Sequence, residues 1–243
     1  MQTFGVRPAA EWRPALAAAA FLLAAAARAG DLTIVSTTLF GGKEGTQTVF
    51  LSASRVKTSG GGSESIVDLK GGAMTFLDVE KSSYYVTSIR ELDHYADERE
   101  AQSKKSHYNE EGFGALAEPS AVKSGGSRRI AGHPCDDWTI RMSDGLVFEV
   151  CAARDMPAPR GYFEARAAAY AGMGPMGRHF RKMFEAMKQT KGYPLRLAMH
   201  VKLEGMKQES LTEATEVKAG AIPPKTFEVP AEYARKPSPF ATK

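Results

Sequence analysis

The chain has 243 residues, a formal charge of +4 and only two cysteines. That length suits one ordinary domain with a real core and argues against a second one. No block of Lys and Arg with interleaved aromatics occurs, which argues against nucleic acid as a partner.

In chain order, the first feature is a leader. Arg7 and Arg13 precede an uninterrupted apolar run from Ala15 to Ala27, which leads into the small-x-small triplet Ala27, Arg28, Ala29. These are the three parts of a secretory signal peptide. The run is about 13 residues long, short of the roughly 20 that span a bilayer. The reading is a cleaved segment 1–29, a single domain over 30–236 and a flexible tail over 237–243. Cleavage removes Arg7, Arg13, Arg28 and Glu11, leaving about +2. No cysteine adjoins the cleavage point to take a lipid, and no later segment is long and apolar enough to cross a membrane. The expected product is soluble, not lipid-anchored, and periplasmic or secreted.

Short runs rich in β-formers follow: Leu32–Thr38, Thr46–Ser52, Arg55–Thr58, Ser65–Leu69, Met74–Val79 and Ser83–Thr87. Gly41-Gly42, Gly60-Gly61-Gly62 and Gly71-Gly72 separate several of them, predicting an antiparallel meander. A polar helix is expected from Ile89 to Ser103, then a loop through Gly112 and Gly114 and a strand entering Ile130.

Asp137–Met142 and Leu146–Val150 flank an Asp144-Gly145 turn and read as a hairpin. Pairing Met142 with Leu146, Ile140 with Phe148 and Trp138 with Val150 sets apolar opposite apolar. That register puts Cys135 and Cys151 on one face, diagonal to each other. An exported pair of cysteines reads as a disulfide, given a bulge or small shift. The rival reading makes Cys135 a nucleophile beside His133, Asp136 and Asp137.

Past Pro157 and Pro159 the period changes. A helical region is expected over Tyr162–Gln189, broken at Gly172-Met173-Gly174-Pro175, and strands Leu195–Glu204 and Lys207–Val217 close the domain. From Pro175, Met176, Phe180, Met183, Phe184 and Met187 share one helix face, opposite Arg178, Arg181, Lys182, Glu185 and Lys188. This stripe has three readings: packing on the sheet, lining a cavity for a greasy ligand, or resting on an anionic membrane. Met176, Phe180, Met183, Phe184 and Met187 are the ligand-cavity candidates.

Other motifs are weaker. His94 with Glu98 and Asp93 with Asp97 have metal-ligand spacing, but the charged residues around them read as a solvated face. His200 is an isolated imidazole in a strand. Ser124-Gly125-Gly126-Ser127 lacks the P-loop pattern and reads as a hairpin turn. No catalytic, metal or cofactor signature is present, so no enzyme activity is assigned.

Three stretches carry a family resemblance: Arg55-Val56-Lys57 through Ile66-Val67-Asp68 to Phe76–Tyr85, Ile130–Trp138, and Pro223–Tyr233. They resemble the secreted bacterial family called domain of unknown function four-four-one-two. Its layout is similar to the periplasmic lipoprotein carriers of the LolA and LolB type. The resemblance implies an α+β, mainly β fold: an antiparallel, strongly curved sheet or incomplete barrel with one or two helices over its concave face. It implies no catalytic residue. The function expected is non-catalytic binding of a lipid or acylated partner in an apolar cavity. The alternative is an envelope protein–protein interaction module with a filled core.

Overall fold

In the computed structural model, residues 30–241 are described, apart from 106–118, 144, 174 and 204–205; of 103–105, 175–176, 203 and 206 only the backbone is described. The leader 1–29 and the predicted loop through Gly112 and Gly114 lie outside the described residues.

Among the described residues, twelve strands form one sheet. They are β1 Leu32–Phe40, β2 Lys43–Leu51, β3 Arg55–Gly60, β4 Ser63–Asp68, β5 Ala73–Asp78 and β6 Ser83–Ser88, then β7 Ala121–Ile130, β8 His133–Ser143, β9 Leu146–Pro157, β10 Gly192–Leu203, β11 Met206–Ala219 and β12 Ala234–Arg235. The spatial order β12-β6-β5-β4-β3-β2-β1-β11-β10-β9-β8-β7 puts the first strand in the middle. From β1 one meander runs out to β6, and from its partner β11 the other runs out to β7. All pairings are antiparallel except β12 beside β6. β7 returns close to β11, so that arm curls strongly. The sheet is open, curved and antiparallel, with helices on its concave face, as the family resemblance implies.

Three helices lie over it: α1 Ile89–Lys105, α2 Tyr162–Ala169 and α3 Pro175–Met187. A capping box starts α1: the Ser88 hydroxyl accepts from Glu91 N–H at 3.1 Å, and the Glu91 carboxylate accepts from Ser88 N–H at 2.8 Å. Arg181 of α3 pairs with Asp93 at 3.4 Å and Asp97 at 3.3 Å, tying α3 to α1. Asp93 and Asp97 thus share one partner on the neighbouring helix.

The stripe of α3 goes into the core. Met183 and Met187 are 0% exposed and Phe184 is 2% exposed. Phe180 is half-buried, edge-on to Phe148 at 6.0 Å and stacked on Tyr170 at 4.4 Å. The described part of the stripe, Phe180, Met183, Phe184 and Met187, therefore faces protein. Under the helices, a transverse row Leu51, Val56, Val67, Met74 and Thr87 crosses five strands, every member 7% exposed or less.

The opposite face of β3–β6 buries a smaller set, Ile66 and Leu77. Residues 220–233, including a 3-10 turn at Pro224–Phe227, run over this side: the turn packs on β3, and Arg55 lies over the Phe227 ring at 6.0 Å. The strap then joins β6 as β12, where Ala234 N–H donates to the Ser82 carbonyl at 2.9 Å.

In the cysteine hairpin, Trp138 opposes Val150 and Ile140 opposes Phe148, as the apolar pairing predicts. Leu146 opposes Ser143 instead of Met142, because a bulge falls between Arg141 and Ser143. Cys135 and Cys151 occupy diagonal positions with Cα atoms 5.4 Å apart and are joined by a disulfide. This leaves Cys135 no thiol for nucleophilic chemistry. The segment Ser124–Ser127 is not a hairpin turn: it forms a bulge inside β7. The turn comes later, at Ala131 (φ 47°) and Gly132 (φ 85°), where two successive positive φ values match the twist of a two-residue hairpin.

Two predictions follow from these elements. Replacing both cysteines by Ala should lower unfolding free energy by about 3 kcal/mol, as loop entropy gives for so short a loop, measured by urea denaturation. Alkylation of the unreduced natural chain should label no thiol, and two labelled thiols would refute the bond. The second concerns Glu64 on the outer face, which takes Lys57 at 2.7 Å and the Ser59 hydroxyl at 2.7 Å. Burial pushes the Glu64 carboxyl up, but these two donors outweigh it and hold it below the ordinary glutamate range. A depressed folded value means stability present above the unfolded pKa and lost as pH falls through the folded one. The stability gap between the natural chain and Glu64→Gln should therefore be flat above about pH 5 and shrink below about pH 4. A pH-independent gap would remove the charge from the explanation.

Candidate functional site

Helix coverage of the concave face stops short of one part of the sheet. Two residues along each strand from the buried row lies the next row: Val49, Thr58, Ser65, Phe76 and Tyr85. Val49 is still buried, whereas the other four are half-buried. They form the floor of a groove of about 570 Å³, bounded by the β3–β4 and β5–β6 hairpins and by Lys236 of the tail.

The floor combines two hydroxyls with two rings, Phe76 and Tyr85 stacked at 5.2 Å. Burial pushes the Tyr85 phenol up, so it stays protonated at neutral pH. Thr58, Ser65 and Phe76 cannot ionise, and the floor is uncharged. The charged residues of the lining lie around this floor: Glu64, and at the rim Lys81, whose ammonium meets Asp78 at 2.6 Å, beside Glu80 and Lys236. An uncharged, part-aromatic floor with a charged rim can hold a molecule with an apolar body and a polar end. The volume lies within the range of small-molecule sites.

None of the groove's described lining comes from the Met/Phe stripe. Met183, Phe184 and Met187 are packed in the core and Phe180 is at its border; the side chain of Met176 lies outside the described residues. Among the described residues no group of three or more His, Cys, Asp or Glu could hold a metal ion. His94 meets Glu98 at 3.3 Å on an exposed helix face, and His200 sits between Glu149 at 3.8 Å and Glu209 at 3.6 Å. His133 pairs with Asp155 at 3.0 Å, exposed beside the disulfide hairpin.

The tail also enters the site. Phe240 lies 6.0 Å from Tyr85 and 5.0 Å from Tyr95 of α1. Sequence reading gave this segment as flexible, since one aromatic among Pro237, Ser238 and Pro239 carries no periodic signal. The groove floor was missed for a related reason. Its members come from four strands, and only the pairing register puts them in line.

Comparison with solved structures gives distant likenesses. MucB in complex with MucA(peri) is 13% identical, with 84% of this chain and 56% of that chain covered at a TM-score of 0.38. The MucA/MucB complex of Pseudomonas aeruginosa is 13% identical over 85% and 58%, at a TM-score of 0.37. A DUF1329 family protein from Desulfovibrio piger is 9% identical over 82% and 89%, at a TM-score of 0.21. The chain thus spans less than two thirds of the MucB-containing chains it matches. No curated protein matches the sequence. Residues 70–233, more than half the chain and most of what has just been described, match the family given as Domain of unknown function (DUF4412), and the chain belongs to that family.

Proposed function

We propose that this chain is an exported, periplasmic or secreted binding protein that holds a lipid or an acylated partner and catalyses no reaction. The observation that carries the reading is the groove over Phe76 and Tyr85, whose floor of Thr58, Ser65 and two stacked rings is uncharged. Such a surface gains free energy from an alkyl chain at roughly 0.8 kcal/mol per buried CH₂ and needs no ionic partner on the floor. The ligand lies over β3–β6, and the Met/Phe stripe supports the sheet beside it. Export is supported by the leader pattern in 1–29 and by the disulfide, a bond that persists in oxidising compartments. No described helix is long and apolar enough to cross a membrane.

A second reading, an envelope protein–protein interaction module without a small ligand, is favoured by the filled core beneath the stripe. Phe40, 62% exposed at the tip of the β1–β2 hairpin, would be its contact.

Native mass spectrometry of chain purified gently from periplasm, followed by titration with dodecanoate, separates the two. The carrier reading expects a bound acyl species or dodecanoate uptake. Phe76→Ala with Tyr85→Ala should weaken uptake at least tenfold, since two ring contacts are worth more than the 1.4 kcal/mol of one decade. Phe40→Ala should leave uptake unchanged. A uniformly ligand-free chain that takes up no dodecanoate would overturn the carrier reading and leave the interaction module.

A further inference from the structure

Tyr85, at the edge of the groove's lining, has a second aromatic neighbour. One side of that ring stacks on Phe76, and Phe240 of the tail also lies against it. The Phe240 ring stands edge-on to Tyr95, and the third wall is Gly172 in the 3-10 turn between α2 and α3. A Cβ at Gly172 would lie 3.3 Å from the Phe240 ring, so a larger residue would press on it. A strand, a helix and a turn thus build a seat that fits an apolar group, and a segment of the chain's own tail fills it.

The occupant is lightly tethered. The last backbone bond to the sheet is Lys236 N–H to the Tyr84 carbonyl, 2.7 Å. Beyond it the described hydrogen bonds stay within the tail: Phe240 N–H to the Ser238 hydroxyl at 3.2 Å and Ala241 N–H to the Ser238 carbonyl at 3.4 Å. Pro237 and Pro239 have no N–H to offer. Releasing Phe240 breaks ring contacts and no described bond to the body of the protein.

We propose that the Phe240 seat is the apolar end of the ligand groove, and that the hydrocarbon end of the bound molecule takes it by displacing the tail. The proposal rests on the carrier reading above. It fixes the ligand's direction: polar end at the rim beside Asp78, Lys81 and Lys236, alkyl end between Tyr85 and Tyr95. Apparent affinity is then the intrinsic affinity scaled by the fraction of molecules whose seat is vacant.

The test is calorimetric titration of dodecanoate into the natural chain and into Phe240→Ala. The variant should bind about tenfold more tightly, because its seat is empty. Carboxypeptidase treatment of the natural chain gives an independent readout that does not depend on the variant folding: saturating dodecanoate should speed removal of the residues after Lys236. Unchanged or weaker binding by Phe240→Ala with an intact unfolding transition would overturn the proposal, as would slower trimming of the natural chain with ligand. If the natural chain binds dodecanoate through Phe76 and Tyr85 but ignores Phe240, this inference alone fails. If it binds no dodecanoate, the carrier reading fails with it.

Discussion

No single helix spans the sheet it covers. Twelve strands at about 4.8 Å spacing make a surface on the order of 50 Å across, while the 13 residues of α3 extend about 20 Å. Close packing can be completed over only part of such a face. The strongly curled arm β7–β11 wraps α2 and α3 and closes on Phe184, Met183 and Met187, and α1 finishes cover over the row from Leu51 to Thr87. One row further along, no described helix lies over the strands. The groove is what remains when a filled core ends before its sheet does.

This explains why the core and the groove have different chemistry. Beneath the helices the buried side chains are mostly apolar, with Thr87 and His179 among them. Beyond them the same strand face must be compatible with both water and protein, and it carries Thr58 and Ser65 beside Phe76 and Tyr85. The outer face, which buries Ile66 and Leu77, has no described helix and is crossed at β3 by the strap around Phe227. A sheet of this size thus has three surfaces: one closed by helices, one crossed by a strap and one left amphiphilic.

Much of the fold was legible because it rests on local rules. Alternation in Arg55–Thr58 or Met74–Val79 marks strands, and apolar opposition in the cysteine hairpin gives the Trp138–Val150 and Ile140–Phe148 pairs directly. Ser88 followed three residues later by Glu91 is a local signal of the same kind, a capping box. The bulge at Met142 was not legible, because it depends on how the twisted hairpin accommodates the turn. The stripe of α3 was readable as amphipathic, but periodicity cannot say whether an apolar face meets a core, a cavity or a lipid; burial decides that. The groove required register across four strands, and the docking of Phe240 required knowing where β12 lies.

The strap has a consequence for the sheet as a whole. An open sheet of twelve strands has two exposed borders, each a template onto which another chain could polymerise. On one border, β12 contributes only two residues, and Pro237 and Pro239 directly after it cannot extend a ladder. On the other, β7 carries Lys123, Arg128 and Arg129 along with a bulge. The molecule can leave its sheet unclosed because both borders are made poor partners for a neighbouring copy.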